Sequence, residues 1–262
     1  MLAKVSRILK SRAPKIHELV KRRWLSARLP VPRMLMGDLV WMDPRLLTAE
    51  PTEPHVLRWI RESLKPGDTF FDVGAHQGWM SLVAAKRVGR RGKVVAFEPS
   101  PALGGILKYH QRVNRMPQLE VVAKAVADVC VASVPFHLVD GGNSYLNSLV
   151  GPVGPDVAGD RRSCIQVETV TLDTFWGESG REPTVIKIDV EGAELSVLRG
   201  AEALLQACHA TLIVAVHPTW MPQGQKAEHL FALLRKHGYR ISDRKVVRYE
   251  GSDFGDYLCM RD

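Results

Sequence analysis

The sequence predicts an α/β protein built on a doubly wound, mostly parallel sheet with helices on both faces. Three observations predict it. Short apolar runs, at residues 70–73, 94–97, 184–188 and 212–216, each end at a glycine, an acid or a histidine. The stretches between them carry apolar residues at helical spacing, so strand and helix alternate across most of the chain. The run at 184–188 is nearly all β-branched, as expected of a central parallel strand buried on both faces.

Residues 1–33 place Val5, Ile8, Leu9, Ile16, Leu19 and Val20 at near-helical spacing among many bases, interrupted by Pro14. The next segment, to Pro54, is rich in proline and short hydrophobics, with Trp41 and Met42 expected to pack over the domain edge. Pro54 suits the first turn of a helix whose face is Val56, Leu57, Ile60 and Leu64, and Pro66-Gly67 turns the chain into the first strand at 70–73. A helix over 79–88, a strand at 94–97, a helix over 102–114 and a strand at 119–123 follow. Residues 131–139 and 165–172 alternate as β segments around a Gly/Pro-rich loop, the expected mobile cover of a site. After the strand at 184–188, Ala193, Val197, Leu198, Ala201, Leu204 and Leu205 predict one continuous helix face. The strand at 212–216, a helix from Ala227 capped by Gly238, and strands at 239–241 and 257–260 complete the order. The division expected is a basic extension and lead-in over 1–50 and one catalytic domain over 51–262, with a loop insertion near 140–163.

The basic balance of the chain is local. Residues 1–33 hold ten Lys or Arg and one acid, whereas the remaining 229 residues carry 26 bases and 27 acids. The domain therefore lacks the charge of a nucleic-acid binder, and no nucleic-acid partner is expected. The arm suits an anionic membrane surface or a protein partner. Cys130, Cys164, Cys208 and Cys259 are too scattered for a zinc or disulfide framework. With no run of about 18 apolar residues and no signal-peptide core, a cytoplasmic location is expected, with membrane association through the arm as an option.

In open α/β sheets ligands lie beyond the carboxyl ends of the strands. That rule gathers Asp72 and its glycine loop, Glu98, Ala125, Asp189 and His217 on one rim. Gly74 and Gly78 stand where the chain must turn sharply and let a ligand approach. Glu98, at the end of the second strand, suits a ribose diol. The loop reads Asp72-x-Gly74-x-x-x-Gly78 and lacks the second glycine of a dinucleotide fingerprint, which disfavours a nicotinamide dehydrogenase. A carboxylate beside the loop repels a diphosphate but suits a ligand bearing an ammonium and a sulfonium, S-adenosylmethionine.

Glu53-Pro54, Lys65-Pro66-Gly67-Asp68 and Asp72-Val73-Gly74-Ala75 occur in an order that resembles the FkbM-type methyltransferases of class I, with their Rossmann-like fold. Ile186-Lys187-Ile188-Asp189-Val190-Glu191-Gly192-Ala193-Glu194 is a second hallmark, and Asn147-Ser148-Leu149 a weaker one. The resemblance implies S-adenosylmethionine as cofactor, held by Glu53, Asp72, Gly74, Ala75, Gly78, Glu98, Ala125 and Asp189. It also implies O-methylation of a small-molecule or carbohydrate hydroxyl. A hydroxyl nucleophile must lose a proton, and His217 is the candidate base, with Asp189 orienting substrate or base. No metal is assigned, although a divalent ion between Asp189 and His217 is an alternative. The family usually carries an acid two residues before this histidine, where this chain has Ala215. A domain without catalysis that binds a membrane or partner through residues 1–33 is the rival from another class.

Overall fold

Neighbouring residues on the central strands feed two separate cores, because successive side chains of a strand point to opposite faces of its sheet. Phe70, Val94, Val185 and Ile213 belong to one buried cluster, and Phe71, Val95, Ile186 and Leu212 to the other. The computed structural model describes residues 29–46, 53–140, 146–154, 161–249 and 252–261.

The main sheet has seven strands. Outward from the centre, β3 (Thr69–Val73) pairs in parallel with β4 (Lys93–Phe97), and β4 with β5 (Leu119–Val122). On the other side β3 pairs in parallel with β10 (Val185–Ile188), and β10 with β11 (Thr211–Val216). The edge is a long antiparallel hairpin of β12 (Tyr239–Tyr249) and β13 (Ser252–Arg261), β13 lying against β11. The order β12-β13-β11-β10-β3-β4-β5 reverses direction of travel between β3 and β10. That reversal opens a crevice at the strands' carboxyl ends.

One face is covered by α1 (Pro54–Ser63), α2 (Trp79–Val88) and α3 (Pro101–Val113). Ser100 caps α3 by accepting from the Leu103 N–H at 3.5 Å. The hairpin of β1 (Val31–Leu35) and β2 (Asp38–Met42) adds Val31, Leu35, Val40 and Met42 to the same core. Its turn places Met36 at φ 48° and Gly37 at φ 90°, the two positive angles that a tight hairpin turn requires. Met42 is buried as expected, while Trp41 on the outer side is exposed. The other face carries α4 (Leu172–Ser179), α5 (Glu194–Arg199), α6 (Glu202–Ala207) and α7 (Ala227–Lys236).

Several expected elements differ. The single helix after residue 193 is two, broken at Gly200-Ala201. A Cβ on Gly200 would lie 2.1 Å from the Ala127 carbonyl oxygen, and Asp173 caps the second helix through the Ala203 and Leu204 N–H groups at 3.1 and 2.8 Å. The segment at 165–172 is strand only to residue 170, because Thr171 caps α4. It contributes to β8 (Arg161–Val167), which pairs antiparallel with β7 (Val134–Asp140), and to β9 (Thr169–Val170), which pairs in parallel with β6 (Ala125–Val126). The last two strands are far longer than the apolar runs that announced them. The amphipathic arm before residue 29, and residues 141–145 and 155–160 of the expected cover, lie outside the described residues.

Candidate active site

A crevice of about 680 Å³ opens at the strand ends, large enough for a nucleoside and a second small molecule. Glu53, Gly74, Ala75, His76, Gln77, Glu98 and Ala125 line one end. Asp189, Glu191, His217, Trp220 and Phe254 line the other, Phe136 comes from β7, and Asn147 and Leu149 come from the insertion.

At the first end the chain leaves β3 through Gly74, at φ 77°. A Cβ there would lie 1.9 Å from the Asp189 carbonyl oxygen, so the glycine is needed for β10 to pass. The Gly74 and Ala75 N–H groups both donate to the Phe97 carbonyl, at 3.1 and 3.0 Å, which binds the loop to the end of β4. Gly78 works in the same way, since its Cβ would strike the Leu107 side chain at 2.3 Å. The close approaches that both glycines permit are thus to the protein itself. Asp72 and Gly78, expected at the cofactor, do not line the crevice. Asp72 is fully buried beneath the loop, accepts from Ser81 Oγ at 2.5 Å and lies 3.5 Å from Lys187 Nζ.

Glu98 does reach the wall. Its Oε2 accepts from the His76 N–H at 2.8 Å and its Oε1 from the Ser100 N–H at 2.9 Å. Burial outweighs these donors and pushes its pKa up to about 7. Glu53 opens α1 and is also raised to about 7, by burial and then by the nearby Asp189 and Asp256 carboxylates.

Lys187 joins the two ends. It stands in a strand whose four residues are all buried, and its Nζ donates to the Gly74 carbonyl at 2.7 Å. The same ammonium lies 3.5 Å from Asp72 and 3.3 Å from Asp189 Oδ2. Burial opposes its charge, yet Asp189, Asp72 and Glu53 hold its pKa above the ordinary value. A lysine in an otherwise apolar buried strand must meet anions, and that was the signal in the sequence for this residue. Burial alone would raise Asp189, but Lys187 and His217 keep it lowered.

At the second end the chain turns sharply after Asp189, with Glu191 at φ 54° and Gly192 at φ 100°. The fully buried Glu194 organises this turn. Its Oε1 accepts from the Gly192 N–H at 3.0 Å and from His217 Nδ1 at 2.8 Å. Glu194 therefore orients the ring, whereas Asp189 Oδ1 is 3.9 Å from His217 Nε2 and Glu191 Oε2 is 3.3 Å away. Burial opposes a charged ring, but Glu191, Glu194 and Asp189 outweigh it and raise the His217 pKa to about 10. Trp220 stacks on the imidazole at 5.0 Å with planes 3° apart, and Phe254 meets it edge-on at 5.2 Å. Ala215 faces Asp256 across the strand pair, and the Asp256 carboxylate pairs with His55 Nε2 at 2.6 Å.

The description of the methyltransferase FkbM domain matches residues 72–241, the span that holds Asp72, the loop, Glu98, Asp189 and His217. The chain belongs to the FkbM methyltransferase family. Members of this family draw their methyl group from S-adenosylmethionine. Among similar proteins, the 31-O-demethyl-FK506 methyltransferase FkbM of Streptomyces tacrolimicus is 28% identical over 221 residues, covering 76% of this chain and 82% of the relative. The hexuronic acid methyltransferase AglP of Haloferax volcanii is 28% identical over 167 residues, covering 63% of this chain and 62% of the relative. The AMB antimetabolite synthetase AmbE of Pseudomonas aeruginosa is 27% identical over 76% of this chain, which spans only 11% of that protein. The crystal structure of Pyrococcus horikoshii TYW2 in complex with MeSAdo shares the fold, with a TM-score of 0.50 at 14% identity over 89% of this chain and 71% of that one. The FkbM-family chain has no helix long and apolar enough to cross a membrane among its described residues.

Proposed function

We propose that the protein transfers the methyl group of S-adenosylmethionine to a hydroxyl of a small molecule or a sugar. The observation that carries this reading is the crevice itself. Its two chemically distinct ends meet at the reversal of strand order, one built of backbone and a diol-accepting carboxylate, the other of titratable side chains under an aromatic wall. Glu53, Gly74, Ala75, Glu98, Ala125 and Asp189 take the donor. Asp72 and Gly78 act from beneath, by fixing the loop. Support for the acceptor class comes from two relatives, one named for a hexuronic acid and the other for 31-O-demethyl-FK506.

Transfer from a sulfonium is an in-line displacement. The new C–O bond forms as the C–S bond breaks, so holding the three atoms collinear accounts for much of the catalysis. His217 and Asp189 handle the acceptor hydroxyl, and Trp220 and Phe254 offer flat apolar surface to its carbon skeleton. A protonated ring cannot receive the hydroxyl's proton, so the raised pKa of His217 means that something must first displace its own.

Label transfer from methyl-labelled donor to a panel of glycosides and polyketide-like alcohols tests the reading, alongside thermal shifts. S-adenosylhomocysteine should raise the melting temperature and NAD should not. A protein that binds neither and labels nothing would end the proposal.

A further inference from the structure

Three atoms at the acceptor end stand in the arrangement of a partly closed coordination shell. Asp189, Glu191 and His217 each offer a ligand atom within 4.8 Å of the others', with 3.3 Å between His217 Nε2 and Glu191 Oε2 and 3.9 Å between His217 Nε2 and Asp189 Oδ1. Ligand atoms that each sit about 2.1 Å from one divalent ion are roughly 3–3.5 Å apart, so small side-chain movements would complete the shell.

Two further observations point to a cation. Glu191 Oε2 is sealed from solvent and accepts no well-aligned hydrogen bond among the described residues, its polar neighbour being His217 Nε2 at 3.3 Å, although its chain is fixed by Ser148 Oγ donating to the Glu191 carbonyl at 2.8 Å. A carboxylate oxygen held without a donor in a buried place is costly, and an ion would relieve it. The histidine is also prepared as a ligand. Fully buried Glu194 engages Nδ1, which leaves Nε2 facing the two carboxylates, the outer-shell arrangement that fixes a metal-binding imidazole. Asp189 divides its oxygens in the same sense, Oδ2 toward Lys187 and Oδ1 toward the ring.

We propose that Asp189, Glu191 and His217 form a binding site for a divalent first-row cation of the Mn²⁺ class. Two carboxylates and one imidazole suit an ion between the hard alkaline earths and the thiolate-seeking metals. On the methyl-transfer reading, on which this step alone rests, the ion would hold the acceptor oxygen and favour its ionised form. Acceptors with two adjacent oxygens, such as vicinal diols or hydroxy acids, would then be preferred.

The test is a titration of metal-stripped full-length protein with Mn²⁺, followed by electron paramagnetic resonance, with and without S-adenosylhomocysteine. The expected result is one bound ion per chain, a spin-echo signal from a directly bound imidazole nitrogen, and affinity weakened roughly tenfold or more in Glu191→Gln and His217→Gln. Glu202→Gln, at a carboxylate–histidine pair elsewhere, should bind as the parent does. Retained S-adenosylhomocysteine binding by each variant certifies its fold, and Glu191→Gln alone suffices should His217→Gln not fold. Absence of stoichiometric Mn²⁺ binding, or binding that neither variant weakens, would overturn the site. Binding of S-adenosylhomocysteine without Mn²⁺ would sink the cation and leave the methyl-transfer reading standing; the opposite pattern would do the reverse.

Discussion

The two ends of the crevice are built on different principles. At the donor end, the wall is mostly main chain, bent at Gly74 and tied to Phe97, with Glu53 and Glu98 as its acids. At the acceptor end, the wall is side chain. Asp189, Glu191 and Glu194 come from one turn and its helix, His217 from the end of β11, and Phe254 from β13. A backbone wall is sensitive to atoms added to it, whereas a side-chain cluster is sensitive to atoms removed. The donor end should therefore tolerate loss of a polar group better than gain of a methyl, and the acceptor end should show the opposite.

The largest effect tests the acceptor end. His217→Gln removes the proposed acceptor-handling group, and we expect kcat to fall by about 10²–10⁴ while affinity for S-adenosylhomocysteine, read by calorimetry, changes less than about threefold. An equal loss in both would mean that the two ends are not separate. Lys187→Met attacks the seam and leaves buried Asp72 and half-buried Asp189 without their cation. The expected loss is about 3–5 kcal/mol of stability, measured by urea unfolding.

Gly74→Ala tests the donor end by addition. The new Cβ collides with the backbone of Asp189 at a positive φ, so no rotamer relieves it. We expect about 1–3 kcal/mol of destabilisation and donor binding weakened in proportion. Glu98→Gln tests the same end by subtraction and should cost only about tenfold in affinity for S-adenosylhomocysteine.

Glu98 also sets a pH dependence. Its pKa is raised from 4.5 to about 7, so the folded protein keeps a proton that the unfolded chain has lost over this interval. Its contribution to stability therefore falls as pH climbs from 4.5 to 7, while donor affinity rises as the carboxylate appears and levels off above 7. Calorimetry at pH 5, 6, 7 and 8 should show that rise in the parent and a shallower one in Glu98→Gln, where Glu53 still titrates near 7.

Much of this was legible in the sequence where the physics is local. The runs at 70–73, 94–97, 184–188 and 212–216 became β3, β4, β10 and β11 because a strand buried on both faces admits little but apolar residues. The β1–β2 hairpin was not legible. Its turn is Met36-Gly37 in place of the usual Asn-Gly, and Pro32 interrupts a strand that would otherwise read clearly. The break at Gly200 was hidden for another reason, since the apolar spacing runs straight through it and only the approach of Ala127 reveals it.

In the site, spacing gathered Glu98, Asp189 and His217 on the rim and all three line the crevice, whereas Asp72, two residues before Gly74, is buried beneath the loop. Lys187 and Glu194 were in plain view within a recognised motif, yet their work depends on which buried anion or ring each meets across the fold. Pairing over such distances is set by tertiary structure and leaves no periodic mark in the chain.

On the proposed function, the ammonium of Lys187 has a consequence for anyone who wishes to redirect the protein to new acceptors. Because one cation grips both the Gly74 turn and the Asp189 carboxylate, the proposed function predicts that altering Asp189 disturbs donor capture as well as acceptor choice. Remodelling is safer on Phe254, Phe136 and Leu149, which border the crevice but take no part in that shared grip.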